Sequence, residues 1–217
     1  MNTVRILVAD DHEVVRQGVR ALLEAQPDWE VCGEAADGRE AVEMAERLKP
    51  DVIILDLTMP NLNGLEATRQ ILKADPEARV LILTMHESDQ VVREVLDAGA
   101  RGYVLKSDAG RNLLAAVEAL RLQNSFFTSK VAKMVVDGLR KAPPPGRETI
   151  LPDRLTPRER EVVQLLAEGK SSKEVAVALD LSVKTAETHR SNIMRKLDIH
   201  SVSDLVRYAV RNRIIEP

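Results

Sequence analysis

The sequence DVIILDLTMPNLNG, residues 51–64, decides which fold class this chain can adopt. Val52 to Leu55 form a short aliphatic run bounded by turn formers, which is typical of a strand buried on both faces in a parallel sheet. The run ends at Asp56, whose carboxylate would be costly to bury inside the strand. At the carboxyl end of the strand, it lies where open α/β sheets bind their ligands. From this stretch alone, a turn-capping aspartate and a functional carboxylate both remain open.

The pattern around this strand repeats along the first 123 residues. Five apolar runs (VRILVAD, WEVCGEA, VIILD, RVLILT and GYVLK) alternate with five segments whose apolar residues recur at helical spacing. Such alternation predicts a parallel sheet covered on both faces by helices through right-handed crossovers. We expect residues 1–123 to form a doubly wound α/β domain with five strands in the order 2-1-3-4-5.

The remainder of the chain has a different character. Residues 124–152 hold NSFFTSKVAKMVVDGLR, a candidate short helix, followed by the proline-rich KAPPPGRETILPD, which reads as a linker. Residues 153–217 show no strand pattern, and we expect an all-α domain of four helices there. The helices are predicted near 156–168, 172–179, 182–197 and 201–213. Start signals at Thr156, Ser171 and Ser182 support the first three.

Composition excludes several classes of protein. A hydrophobic content of 44% and a charged content of 30% describe a globular chain, and no apolar run approaches the roughly 18 residues of a membrane span. The start MNTVRILVADD does not resemble a signal peptide, and the single Cys32 cannot form an internal disulfide. Residues 1–138 carry a net charge of −7 and residues 139–217 a net charge of +4, which predicts two modules with different partners.

Acidic residues end two strands that should be neighbours. Asp10 and Asp11 follow the first strand and Asp56 the third, so the order 2-1-3-4-5 brings three carboxylates together. A hard divalent cation relieves their repulsion, and Mg²⁺ suits such a site. Thr84 ends the fourth strand and Lys106 follows the fifth, which adds a hydroxyl and an ammonium. Together these groups predict a phosphoryl-accepting site with Asp56 as the nucleophile.

Residues 1–123 resemble the receiver domain of two-component response regulators. The resemblance rests on ADD at 9–11, LDLTMPNLNG at 55–64, Thr84 and GYVLK at 102–106. It implies a flavodoxin-like fold and phosphorylation of Asp56 by a sensor histidine kinase.

The same resemblance implies roles for the surrounding residues. Mg²⁺ would be bound by Asp11, Asp56 and the backbone carbonyl of Thr58, with Asp10 acting through water. Lys106 would bind the phosphoryl group. Thr84 and Tyr103 would form a switch pair, in which the hydroxyl moves toward the phosphoryl group and the ring follows inward.

Two features depart from or extend the receiver pattern. Many receivers follow this lysine with a proline in a cis peptide, but here Ser107 follows, which puts a cis bond in question. Thr58 and His86 stand two residues after Asp56 and Thr84, and we hypothesise that they set the lifetime of the phosphoryl group.

The segment SVKTAETHRSNIMRKL, residues 182–197, has two distinct faces when drawn as a helix. Its apolar face contains Ala186, Ile193 and Leu197. Its opposite face is polar and cationic, formed by Lys184, Thr188, Ser191 and Arg195. Such a helix suits the DNA major groove, although an ordinary surface helix shows the same periodicity.

The C-terminal domain resembles the LuxR-type helix-turn-helix through LTPRE, GKSSKEVA, His189, NI at 192–193 and KL at 196–197. The resemblance implies that the helix near 172–179 positions the unit and that the helix from Ser182 enters the groove. Three residues would face base edges: Glu187, Thr188 and Ser191. Five would contact phosphate or support the helix: Lys184, His189, Arg190, Arg195 and Lys196. Glu187 stands where lysine is frequent in the family, and we expect it to select a C·G pair or to reject wrong sites.

A receiver followed by a LuxR-type domain is the architecture of NarL/FixJ-type response regulators. The resemblance implies a cytoplasmic transcription factor that binds paired half-sites in double-stranded DNA, as a homodimer when phosphorylated. It implies no enzyme activity beyond the receiver's own phosphotransfer and dephosphorylation, and no membrane partner. RNA polymerase is a further candidate partner.

Two alternatives remain open at this stage. An aspartyl phosphatase would need an acidic residue two positions after its nucleophile, where this chain has Thr58, and a cap insertion that it lacks. A receiver that dimerises independently of phosphate is disfavoured by its intact acidic and lysine residues.

Overall fold

The structure, a computed structural model, describes residues 3–128, 131–133 and 155–215. The chain folds as two compact units, an N-terminal α/β unit and a C-terminal helical unit. The N-terminal elements are β1 (Val4–Ala9), α1 (Glu13–Glu24), β2 (Trp29–Ala35), α2 (Gly38–Leu48), β3 (Val52–Leu55), α3 (Gly64–Ala74), β4 (Val80–Thr84), α4 (Asp89–Asp97), β5 (Gly102–Leu105), α5 (Ala109–Arg121) and β6 (Phe126–Phe127). A 3₁₀ turn at Lys106–Asp108 leads from β5 into α5.

The sheet is parallel throughout, with strand order β2-β1-β3-β4-β5-β6. This confirms the predicted doubly wound fold. Every residue of β3, β4 and β5 is buried, because helices cover both faces of the sheet. On one face, Ile6 and Val8 of β1 pack in a core with residues of α1 and α5.

The expectation of five strands is incomplete, because Phe126 and Phe127 form a sixth. They pair with Gly102 and Tyr103 at the edge of the sheet, in a stretch predicted to be linker and a short helix. A two-residue strand is too short to leave a period in the sequence. Residues 131–133 are helical, whereas residues 129–130 and 134–154, which include the remainder of the predicted helix and the proline-rich segment, lie outside the described residues.

The C-terminal unit consists of α6 (Pro157–Ala167), α7 (Ser172–Ala178), α8 (Val183–Leu197) and α9 (Val202–Arg211). These agree with the four predicted helices. Side chains of Thr156, Ser171, Ser182 and Ser201 cap the four N-termini. One apolar core joins all four helices. No helix within the described ranges is both long and apolar enough to cross a membrane.

Candidate functional site

The carboxyl ends of β1, β3, β4 and β5 place the predicted receiver residues at one edge of the sheet. Asp10 follows β1 and Asp56 follows β3, and the Asp56 N–H donates to the carbonyl of Ala9 at 2.8 Å. Asp10, Asp56 and Thr84 are all buried, with 3%, 5% and 1% of their surfaces exposed. Two carboxylates are therefore held out of water beside each other, which requires a counter-charge.

Lys106 supplies that counter-charge. Its Nζ lies 2.7 Å from Oδ2 of Asp56 and 2.7 Å from Oδ2 of Asp10. Burial lowers the pKa of Lys106, but hydrogen bonds to Asp10 and Asp56 outweigh burial and raise that pKa above its ordinary value. The lysine is a fixed cation at the position where the resemblance implies phosphoryl binding.

Asp56 is an unusually basic carboxylate. Burial raises its pKa from 3.8 to about 6, although the hydrogen bond and charge of Lys106 oppose this change. Its other oxygen, Oδ1, accepts the N–H of Leu57 at 2.7 Å. The carboxylate is thus oriented by contacts on both oxygens.

The predicted metal ligands are only partly brought together. The group whose ligand atoms lie within 4.8 Å of one another, among the residues that the structure describes, is Asp10, Asp11 and His12. His12 was not among the predicted site residues; its Nδ1 lies 2.8 Å from Oδ1 of Asp11. Asp56 connects to this group through Lys106, which it shares with Asp10. The chemistry of the predicted donors, which are carboxylates and the Thr58 carbonyl, is nevertheless the all-oxygen kind that Mg²⁺ prefers.

His86 links the residues predicted to act as a switch. Its N–H donates to Thr84 Oγ1 at 3.3 Å, and its carbonyl accepts the hydroxyl of Tyr103 at 2.7 Å. Its ring nitrogen Nε2 lies 3.0 Å from Oγ1 of Thr58, two residues after Asp56. The Tyr103 ring is fully buried. His86 therefore contacts both members of the predicted switch pair and the loop that follows Asp56.

Gly64 keeps the loop after Asp56 compact. Its N–H donates to the carbonyl of Leu57 at 2.8 Å. A Cβ at this position would lie 1.9 Å from the backbone oxygen of Asp56, so no other residue fits without displacing the acceptor loop. The Asn63 side chain caps α3 by accepting the N–H of Glu66 at 3.0 Å.

The peptide between Lys106 and Ser107 is trans, as are all peptides in the described segments. The departure from proline at this position is therefore accompanied by ordinary backbone geometry.

In the C-terminal unit, α7 and α8 form a helix-turn-helix. Asp180 adopts a left-handed conformation with φ of 51° in the turn, and Leu181 donates its N–H to the Ala176 carbonyl at 2.8 Å. The buried residues of α8 are Ala186, Ile193 and Leu197, the face predicted to be apolar.

The opposite face of α8 is open. The exposed predicted residues are Lys184, Glu187, Thr188, Ser191, Arg195 and Lys196. His189 and Arg190 are half-buried, which suits support of the helix. The Thr188 hydroxyl donates to the Lys184 carbonyl at 2.8 Å, and Arg195 Nη2 donates to Asn192 Oδ1 at 3.1 Å.

Lys196 differs from the other cations of α8. Its Nζ lies 2.6 and 2.8 Å from the two carboxylate oxygens of Glu159. Burial raises the pKa of Glu159, but hydrogen bonds from Lys196 and Thr156 outweigh it and lower that pKa below its ordinary value. In the sequence, Glu159 was recognised only as the end of a capping box, because that signal is local and the contact with Lys196 spans 37 positions.

Comparisons with known proteins agree with both units. Residues 6–118 match the response regulator receiver domain, and residues 153–209 match the bacterial regulatory proteins of the luxR family. The chain is 41% identical over 212 residues to the transcriptional regulatory protein LiaR of Bacillus subtilis, covering 98% of this chain and 99% of LiaR. It is 38% identical over 214 residues to the response regulator VraR of Staphylococcus aureus, covering 99% of this chain and 100% of VraR.

A solved complex of the two-component response regulator RcsB with DNA has the same architecture. It matches with a TM-score of 0.59 at 29% identity, covering 95% of this chain and 98% of the RcsB chain.

Proposed function

Because the chain belongs to the two-component response regulators with a LuxR-type DNA-binding domain, and is a transcription factor of that family, we propose that Asp56 is its phosphoacceptor. The observation that carries this is the Asp56 carboxylate at the end of β3, oriented by the Leu57 N–H and paired with the Lys106 ammonium. Such an arrangement holds a nucleophile in place and supplies a cation for the oxygens of an incoming phosphoryl group.

The proposed transfer is a nucleophilic displacement at phosphorus. One oxygen of Asp56 forms the new O–P bond, and the P–N bond of a phosphohistidine on the sensor kinase breaks, its electron pair leaving with the imidazole. Lys106 would then pair with the phosphoryl oxygens, and the hydroxyl of Thr84, a buried residue at the end of β4, would donate to one of them. The added group carries about −1.5 to −2 charges, enough to bias the contacts that His86 makes with Thr84 and Tyr103.

Mg²⁺ would be held by Asp11, Asp56 and the Thr58 carbonyl, with Asp10 acting through water. When bound, it would neutralise carboxylate and phosphoryl charge at the moment of transfer. The Lys106 ammonium, 2.7 Å from Oδ2 of Asp10, would neutralise part of the same carboxylate charge.

The test is intact mass after incubation with acetyl phosphate and Mg²⁺. We expect a gain of one phosphoryl group in the wild type and none in Asp56→Asn. Asp97→Asn, which changes an exposed aspartate at the end of α4, is the matched control and should label like the wild type. Absence of labelling, under conditions that label another receiver, would instead support phosphate-independent dimerisation.

The proposed output is binding of paired half-sites in duplex DNA by a phosphorylated homodimer, with α8 in the major groove. The exposed face of α8 supports this, because Glu187, Thr188 and Ser191, the residues proposed to contact base edges, are all exposed on it. RNA polymerase is the proposed downstream partner.

Glu187 offers a direct test of base reading. We expect Glu187→Ala to change the preferred base pair at one position of each half-site in selection from a random-sequence library. Asp97→Asn, a change of an exposed acidic residue in α4, should leave the selected sequence unaltered. Identical selected sequences for the wild type and Glu187→Ala would refute a role of Glu187 in specificity.

A further inference from the structure

Lys196 lies in the last turn of α8 and is paired with a residue of another helix. Its Nζ contacts both carboxylate oxygens of Glu159, at 2.6 and 2.8 Å, and Glu159 lies in the first turn of α6. The pair therefore joins the end of the helix proposed to enter DNA to the start of the first helix of the unit.

Glu159 is itself fixed in place. It is 6% exposed, and its Oε2 also accepts the N–H of Thr156 at 2.8 Å. In return, the Glu159 N–H donates to the Thr156 hydroxyl at 3.2 Å, which completes the capping box of α6. Since the carboxylate is tied to the backbone by this cap, it is a stationary anchor for the lysine.

Arg158, the residue before Glu159, makes a second contact between α6 and the helix-turn-helix. Arg158 Nη2 donates to the carbonyl of Leu179, at the end of α7, at 2.5 Å. Its Nη1 is held by Glu161 at 2.9 Å. Two consecutive residues of α6 thus contact the ends of both helices of the helix-turn-helix.

We propose that Lys196 and Glu159 are positioning residues that set the angle of α8 against DNA, and that Lys196 does not contact phosphate. This inference rests on the proposed DNA-binding role of α8. Arg195, the preceding residue, is bonded only within its own helix among the contacts seen here, to Asn192, and Lys184 lies on the exposed face. These two cations are the phosphate-contacting candidates.

The two roles for Lys196 make opposite predictions. A lysine that neutralises a phosphate releases counterions when the protein binds. Removing such a lysine therefore makes the negative slope of log affinity against log salt shallower by about 0.9. Replacing Glu159 by Gln would then free that lysine and tighten binding. If the pair positions α8, either substitution changes the orientation of α8 against DNA. Binding then weakens, but the slope of log affinity against log salt stays the same.

The experiment uses the full-length, acetyl-phosphate-treated protein and four variants: Glu159→Gln, Lys196→Met, the double variant and, as a matched control, Lys184→Met. Gln keeps the acceptor of the capping box while removing the charge. The probe is a fluorescein-labelled duplex that the wild-type protein selects from a random-sequence library. Affinity is measured by anisotropy over a series of KCl concentrations, with the active fraction titrated for each variant.

We expect each single substitution of the pair to weaken binding about tenfold at every salt concentration, equivalent to the loss of one good base contact. The double variant should bind no more weakly than either single variant, because both remove the same interaction. Lys184→Met should make the negative slope of log affinity against log salt shallower by about 0.9. Lys196→Arg, which can pair with the same carboxylate, should bind within about twofold of the wild type.

Three results would overturn the proposal. They are a shallower salt dependence of binding for Lys196→Met, tighter binding for Glu159→Gln, and unchanged affinity of the folded fraction of Lys196→Met. The slope does not depend on the fraction of active protein, so Lys196→Met alone decides the question if Glu159→Gln fails to fold. If the wild type selects no sequence from the library, the proposed DNA-binding role fails before any variant is compared.

Discussion

Asp56, the proposed phosphoacceptor, destabilises the domain that holds it, and replacing Asp56 by Asn should therefore stabilise the protein. Burial raises the pKa of Asp56 from 3.8 to about 6, a change of about 2 units. At about 1.4 kcal/mol per unit, keeping this group ionised in the folded state costs about 3 kcal/mol at neutral pH. Part of this gain is offset, because the substitution leaves Lys106 with one carboxylate partner instead of two. We therefore expect a gain of about 1 to 3 kcal/mol in the free energy of unfolding.

The effect must depend on pH in a defined direction. Below pH 3.8 the carboxyl is protonated in the folded and unfolded states, and its ionisation costs nothing. As the pH rises to about 6, the unfolded state loses this proton first, so the wild type loses stability relative to Asp56→Asn. Above about pH 6 the difference is complete and constant.

The assay is urea unfolding in EDTA, followed by the fluorescence of Trp29. Trp29 is the sole tryptophan of the chain and packs against the core of the N-terminal unit, so the signal reports that unit. Asp97→Asn, a change of an exposed aspartate, should alter stability by less than about 0.5 kcal/mol. The reasoning is refuted if Asp56→Asn is less stable than the wild type at pH 7.5, or if the difference does not shrink toward pH 4.

Two further predictions follow from contacts around the acceptor. Thr58→Ala and His86→Ala should each change the half-life of the aspartyl phosphate, and the double variant should resemble the single variants, because the two side chains share one contact of 3.0 Å. Half-lives on phosphate-affinity gels that match the wild type would exclude a role of this pair. Gly64→Ala should destabilise the protein by more than about 2 kcal/mol and abolish labelling of Asp56, since the added Cβ would lie 1.9 Å from a backbone oxygen. Gly18→Ala, in α1 where a Cβ meets nothing within 4 Å, should instead stabilise by about 0.5 to 1 kcal/mol in thermal unfolding; equal effects at the two glycines would contradict this reading.

Local sequence patterns were sufficient to predict the order of the main strands and helices along the chain. The aliphatic run before Asp56 and its repeats predicted the parallel sheet, because burial on both faces demands continuous apolar strands. Caps such as Thr156 and Ser171 marked helix starts in the sequence, because a cap acts within three residues of itself. The strand Phe126–Phe127 was missed, because its pairing with β5 depends on where α5 returns the chain.

The sequence by itself determined which residues would lie at the ends of the strands and which face of α8 would be open. Both follow from period and chain direction, which are properties of neighbouring residues. Only the tertiary structure decided that Lys106 bridges Asp10 and Asp56, that the His86 carbonyl accepts the Tyr103 hydroxyl, and that Lys196 is held by Glu159. These contacts join residues far apart in the chain, where distance and partner are set by the packing of whole elements and leave no period in the sequence.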